Sequence, residues 1–169
     1  MIVIKFGDIT RENADAIVNA ANTRLAGGGG VDGAIHRAAG PTVMEECRKI
    51  GGCPTGEAVI TNAGNLKAKK IIHTAGPVWR GGGGGEAGLL RNCYENSLRL
   101  AKEHGLKTVA FPAISTGVYG YPIEEATRIA LNAGKKYVRD FGEIRFVCFS
   151  QKDLDVYERI WKETASPPR

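Results

Sequence analysis

Short runs of β-branched and aliphatic residues recur along the chain, most of them bounded by glycine, asparagine or proline. Ile2–Phe6, Asp15–Asn19, Glu57–Asn62, Lys70–Thr74, Lys107–Phe111 and Glu143–Phe149 read as six strands. Several show little alternation of apolar and polar positions, as strands covered on both faces do. Between them the apolar positions move to helical spacing. Val31, Ala34, Ile35 and Ala38 fall on one helix face, and Pro41 suits the first turn of a helix continuing over 42–50. Leu90, Cys93, Tyr94, Ser97, Leu98 and Ala101 form a stripe over Leu89–Glu103, with Gly105 behind it as a stop. Pro122 opens a helix over Ile123–Val138, and a last helix covers Asp153–Thr164 ahead of a frayed tail at 165–169. Strands alternating with helices predict the α/β class, as a sandwich around a mostly parallel sheet, in a single domain over residues 1–169.

Composition adds one outlier. The chain has 169 residues and 23 glycines, about twice the usual share. Two tracts, Gly27–Gly30 and Gly81–Gly85, hold nine of them. The hydrophobic fraction of 43% and charged fraction of 24% exclude a disordered or fibrous chain. The net charge is +5, which together with the glycines suggests an anionic partner that approaches the backbone closely. No run of about 18 or more apolar residues is present, so no membrane span is expected. The start of the chain lacks the basic segment of a signal peptide, and a cytoplasmic location is expected. Cys47, Cys53, Cys93 and Cys148 form no CxxC pair and have no histidine at zinc-ligand spacing. They read as reduced, buried thiols, and neither a metal nor another cofactor is called for.

Four segments carry candidate chemistry. Gly28-Gly29-Gly30-Val31-Asp32-Gly33 formally matches the dinucleotide fingerprint, but it does not directly follow a strand and lacks the acidic residue about 20 positions on. No P-loop motif exists either. What remains is a glycine-rich turn leading into a helix N-terminus, which offers free N–H groups to a phosphate. Ser115-Thr116-Gly117-Val118-Tyr119 lies between a strand and a helix, where an open α/β sheet binds ligands. Asn19 and Asn22 leave the second strand, and Asp8 with Ile9 leaves the first. The alternatives are a flexible linker for the glycine-rich turn, an ordinary connecting loop with a packing tyrosine for 115–119, and turns or a cap for Asn19, Asn22 and Asp8. Ser115 lacks a nucleophile-elbow context, and His73 lies in an apolar strand as a hydrogen-bonded core residue.

Read together, GDIT at 7–10, ADAIVNAAN at 14–22, GGGGVDGAIHRAAGP at 27–41, CPTGEAVIT at 53–61, IIHTAGPVW at 71–79 and PAISTGVYGYP at 112–122 resemble a macrodomain of the MacroD type. The resemblance covers about residues 3–160. It implies a three-layer α/β/α sandwich around a mixed, mostly parallel six-stranded sheet, with ADP-ribose as ligand. Asp8, with Ile9 beside it, is similar to the family's adenine-binding aspartate, and Phe149 to the aromatic that stacks on adenine. Gly28, Gly29, Gly30, Val31 and Gly33 on one side, and Ser115, Thr116, Gly117 and Val118 on the other, would clamp the diphosphate. Tyr119 would pack along the distal ribose.

Asn22 and Asp32 match the pair that the MacroD type uses at the distal ribose, where they would hold a hydroxyl and orient a water. An aspartate is a weak base at neutral pH, so positioning is its main expected contribution. The implied activity is metal-independent hydrolysis of an ester on the distal ribose. It would release ADP-ribose from Asp or Glu side chains of modified proteins, or acetate from O-acetyl-ADP-ribose. The alternative is a reader that binds ADP-ribose without cleaving it, or a phosphatase for ADP-ribose-1″-phosphate. Partners are ADP-ribose, ADP-ribosylated proteins or O-acetyl-ADP-ribose. No membrane or nucleic acid is implied, and a monomer is expected. The tract at 81–85 reads as a flexible surface loop.

Overall fold

A computed structural model describes residues 1–165. Its strands are β1 (Ile2–Phe6), β2 (Ala16–Ala21), β3 (Ala58–Asn62), β4 (Lys70–Ala75), β5 (Thr108–Phe111) and β6 (Glu143–Cys148). Its α-helices are α1 (Gly30–Ala39), α2 (Pro41–Ile50), α3 (Glu86–Glu103), α4 (Ile123–Tyr137) and α5 (Gln151–Ala165). The last helix starts two residues earlier and ends one residue later than expected, at Ala165, and the rest of the expected frayed tail, residues 166–169, lies outside the described part. No helix among the described residues is long and apolar enough to cross a membrane.

The strands form one sheet in the order β1-β6-β5-β2-β4-β3. Every neighbouring pair is parallel except β3 against β4 at one edge. Alternate side chains of β2 feed two cores on opposite faces. Ala16 and Val18 join the cluster with α3, α4 and α5, while Ile17 and Ala21 join the one with α1 and α2. The sheet is therefore the middle layer of an α/β/α sandwich. Both faces bury aliphatic side chains to near-zero exposure, each worth about 1.5–3 kcal/mol relative to exposure.

The larger core is aromatic at its centre. Tyr94 of α3 packs on Phe111 with ring centroids 5.1 Å apart, and Phe111 stacks on Phe146 at 5.7 Å. The Tyr94 hydroxyl accepts from the Ile114 N–H at 3.3 Å and donates to the Pro112 carbonyl at 3.5 Å. The core thus anchors the chain leaving β5. On α1 the inward face differs from the one expected. Asp32, Gly33, Ile35 and Ala39 are buried, whereas Ala38 is exposed. An aspartate occupies the inner stripe because the strand beneath it presents a polar residue, Asn19.

Candidate active site

Because β1, β6, β5, β2 and β4 are parallel, their carboxyl ends share one edge of the sheet. Asp8 follows β1, Phe149 follows β6, Ser115–Tyr119 follows β5, Asn22–Gly29 follows β2 and Gly76 follows β4. From β1 to β2 is three strand spacings, about 14 Å. Ligands of open α/β sheets bind outside this edge.

At the β1 end, the Gly7 N–H donates to the Cys148 carbonyl at 3.0 Å, so Asp8 and Phe149 leave adjacent strand ends. Asp8 caps a short 3-10 helix: its Oδ1 accepts from the Thr10 hydroxyl at 2.7 Å and the Thr10 N–H at 3.0 Å. These bonds, the hydroxyl first, hold its carboxyl below the usual range. Its other oxygen takes no hydrogen bond from the described residues. Ile9 is buried in the core beside it, while Phe149 keeps 84% of its surface exposed.

The two middle loops share a conformational signature. Leu25, in the loop after β2, has φ +55°, and Ser115, in the loop after β5, has φ +67°. They are the non-glycine residues with positive φ among those described. Such backbone costs of order 1–3 kcal/mol and marks sites that the surroundings over-determine. The loop after β5 is closed by Tyr121 N–H to Ser115 carbonyl and Gly120 N–H to Gly117 carbonyl, each at 2.9 Å. No hydrogen bond among the described residues occupies the N–H of Thr116, Gly117, Val118 or Tyr119. Val118 is fully exposed at the tip.

Opposite, Gly29 caps α1 without a side-chain bond, so the first-turn N–H groups have no partner from the cap. Gly29, Gly30 and Gly117 face open space, whereas at Gly33 a Cβ would collide with the Gly28 carbonyl. Glycine at 33 is what lets the loop turn back on its own helix.

Asn22 holds this loop from within. Its Nδ2 donates to the Gly27 carbonyl at 2.8 Å and its Oδ1 accepts from the Ala26 N–H at 3.1 Å. Asp32 is pinned on one side only. Its Oδ1 accepts from Asn19 Nδ2 at 2.8 Å and lies 3.3 Å from His36 Nε2. Its Oδ2 turns toward Gly28, where a Cβ would stand 3.5 Å from that oxygen and 3.9 Å from Asn22 Nδ2. Asn22 and Asp32 therefore flank one space that glycine at 28 keeps open.

Behind Asp32 lies a buried polar cluster that residue spacing does not reveal. Asn19 and His73 are both fully buried, and Asn19 Nδ2 is 3.1 Å from His73 Nδ1. His73 Nε2 is 2.9 Å from the Thr61 hydroxyl, which itself donates to the Asn62 carbonyl at 2.8 Å. Burial pushes His73 down to about 3. It is the hydrogen-bonded core histidine the strand pattern implies. Donor atoms of His36, Cys47 and His73 lie within 4.8 Å of one another, a spacing a metal could use. Against that, His73 Nε2 is already engaged by the Thr61 hydroxyl at 2.9 Å, and burial pushes the Cys47 thiol up to about 11.

The second glycine tract also has a structure. The Glu86 carboxylate is buried and accepts from the N–H groups of Arg80, Gly82 and Gly84 at 3.0, 2.8 and 2.6 Å. These backbone bonds hold its pKa below the usual range. The tract is an exposed surface loop, as expected, and its backbone donors form a nest around one carboxylate. The signal was the acidic residue directly after the glycines. Gly82 packs on the Trp79 ring, and the Trp79 backbone N–H donates to the Tyr119 carbonyl at 2.9 Å. The nest thereby braces the loop after β5.

The motif resemblance extends over most of the chain in comparisons with known proteins. The Macro domain family model matches residues 18–130. A macro domain-containing protein of Chlorobaculum tepidum is 59% identical over 155 residues, 90% of each chain. A Citrobacter koseri protein named O-acetyl-ADP-ribose deacetylase is 53% identical over 166 residues, 94% of each chain. A glycine-to-valine mutant of the Oceanobacillus iheyensis macrodomain, solved with ADPR, matches with a TM-score of 0.92 and 45% identity. That match covers 95% of this chain and 91% of the other. By sequence and by fold, the chain belongs to the macro domain family.

Proposed function

We propose that this macrodomain acts as one domain that binds ADP-ribose along the sheet edge and hydrolyses an ester on its distal ribose. The ADPR-bound relative and the relatives named O-acetyl-ADP-ribose deacetylase support the ligand and the reaction class. The observation that carries the catalytic reading is the one-sided pinning of Asp32, with Oδ2 facing the space beside Gly28 and Asn22.

Adenine would lie between Asp8 and Phe149, its exocyclic amine donating to the unengaged oxygen of Asp8. The diphosphate would take the N–H groups of Gly28–Val31 and Ser115–Tyr119, with Gly33 closing the first loop. Tyr119 would cover the distal ribose. Backbone dipoles supply much of the neutralisation, so no lysine or arginine is required.

A water beside Gly28 would be oriented by Asp32 Oδ2 and the remaining amide hydrogen of Asn22. Its oxygen adds to the acyl carbon, the bond from that carbon to the ribose oxygen breaks, and a proton passes to the ribose oxygen. Asp32 acts chiefly by placement, which is worth more here than its basicity. The acyl group comes from an Asp or Glu side chain or is acetate, and no metal takes part.

Parallel rate measurements on a protein mono-ADP-ribosylated at glutamate and on O-acetyl-ADP-ribose test this reading. Release of ADP-ribose or acetate is expected from at least one of them. Tight ADP-ribose binding by calorimetry with no release from either substrate would make the protein a reader instead.

A further inference from the structure

We propose that His73 is a positioning residue for Asp32, acting through the Asn19 carboxamide; this rests on the hydrolase reading above. Asn19 and His73 are direct register partners on β2 and β4, and their side chains emerge on the α1–α2 face of the sheet. The two amide hydrogens of Asn19 meet two acceptors, Asp32 Oδ1 at 2.8 Å and His73 Nδ1 at 3.1 Å.

Proton directions along the chain are set from its far end. The single Thr61 hydrogen goes to the Asn62 carbonyl, so Thr61 Oγ1 accepts from His73 Nε2–H. His73 Nδ1 then carries a lone pair and accepts from Asn19. The opposite amide orientation would set Asn19 Oδ1 against the Asp32 carboxylate. Thr61, His73 and Asn19 therefore fix, across three adjacent strands, which way Asn19 presents its nitrogen.

The arrangement leaves a mark. Asn19 Oδ1 is buried with no hydrogen-bond partner among the described residues. An unpaired buried acceptor is rare in a folded core and calls for a reason. The reason here is that the amide nitrogen has to sit between two acceptors, one of which is Asp32. Burial holds His73 neutral down to about 3, so it stays an acceptor throughout the working pH range. With one carboxylate oxygen occupied, the other is left to face Asn22 and Gly28.

The test compares wild type, His73→Phe and His73→Asn. Single-turnover hydrolysis of a glutamate-linked substrate, ADP-ribose binding and melting temperature are read for each. His73→Phe is expected to lower the rate about 10-fold to 100-fold, with the ADP-ribose Kd unchanged within about twofold. His73→Asn, whose carbonyl oxygen replaces the Nδ1 acceptor, is expected to recover most of that rate. In an Asp32→Ala background, His73→Phe should cost nothing further. Wild-type turnover in His73→Phe while Asp32→Ala is inactive overturns the proposal. So does a parallel loss of binding, stability and rate, the pattern of a purely structural role. Turnover retained in Asp32→Ala removes the Asp32 reading itself. Should His73→Phe fail to fold, nitrogen NMR of the wild-type ring decides: an Nδ1–H tautomer at His73 overturns the proposal and an Nε2–H tautomer supports it.

Discussion

Gly76 lies directly against Ser115: a Cβ at position 76 would overlap the Ser115 hydroxyl and crowd the Ile114 side chain. The turn at the end of β4 and the left-handed Ser115 backbone are thus built as one unit. Gly76→Ala is expected to push the loop after β5 outward and cost about 1–3 kcal/mol by overpacking. Calorimetry with ADP-ribose, alongside a thermal melt, should show weakened binding in a protein that still folds. Unaltered affinity would mean that this loop does not clamp the diphosphate.

At the proposed adenine end, Asp8→Ala should weaken ADP-ribose binding by roughly 1–3 kcal/mol, the cost of leaving the adenine amine unpaired. The change also removes the acceptor of the Thr10 hydroxyl. AMP and ribose 5-phosphate distinguish the two effects by titration. Only the adenine-bearing ligand should lose affinity if Asp8 reads the amine.

His73 gives the fold a pH dependence of known sign. Its ordinary value of 6.5 falls to about 3 in the folded protein, because burial disfavours the charged ring. Between these values the unfolded chain binds a proton that the folded chain does not. Its contribution is complete above about pH 6.5 and is lost as pH falls toward 3. The maximal slope for one proton is about 1.4 kcal/mol per pH unit. Depressed carboxylates at Asp8, Asp15 and Glu46 act in the same sense, but only below the carboxylate range. Urea denaturation at pH 7 and pH 5 should therefore show a drop that shrinks in His73→Asn. An identical drop in that variant would assign the effect elsewhere.

The nest around Glu86 makes a separate prediction. Glu86→Gln replaces one acceptor oxygen by an amide donor facing backbone N–H groups. Melting temperature should fall, and hydrogen exchange at Gly82 and Gly84 should quicken. Tyr119, tied to the tract through Trp79, should lose part of its order and ADP-ribose binding should weaken modestly. Exchange rates equal to wild type would show that the carboxylate does not organise the tract.

Most of the framework was legible in the order of residues. All six strands lie within a residue or two of the apolar runs that announce them, because parallel strands buried on both faces need such runs. The inner face of α1 was not, since counting apolar residues favours Ala38 over Asp32. Asp32 turns inward to meet Asn19, and that requires knowing what the strand beneath presents. Asn22, Asp32 and the two loops were readable as motifs. The Asn19–His73–Thr61 chain was not, because it depends on β2 lying beside β4 and β4 beside β3. The +5 charge has no counterpart among the residues proposed to hold the diphosphate, which would offer backbone N–H groups instead.

The most direct test of the central claim is turnover of a glutamate-linked mono-ADP-ribosylated protein by Asp32→Ala, measured with the enzyme in excess, beside its Kd for ADP-ribose. The expected result is a rate reduced by about 100-fold or more, with binding largely retained. Turnover equal to wild type at equal affinity would contradict the assignment of Asp32 to the hydrolytic step.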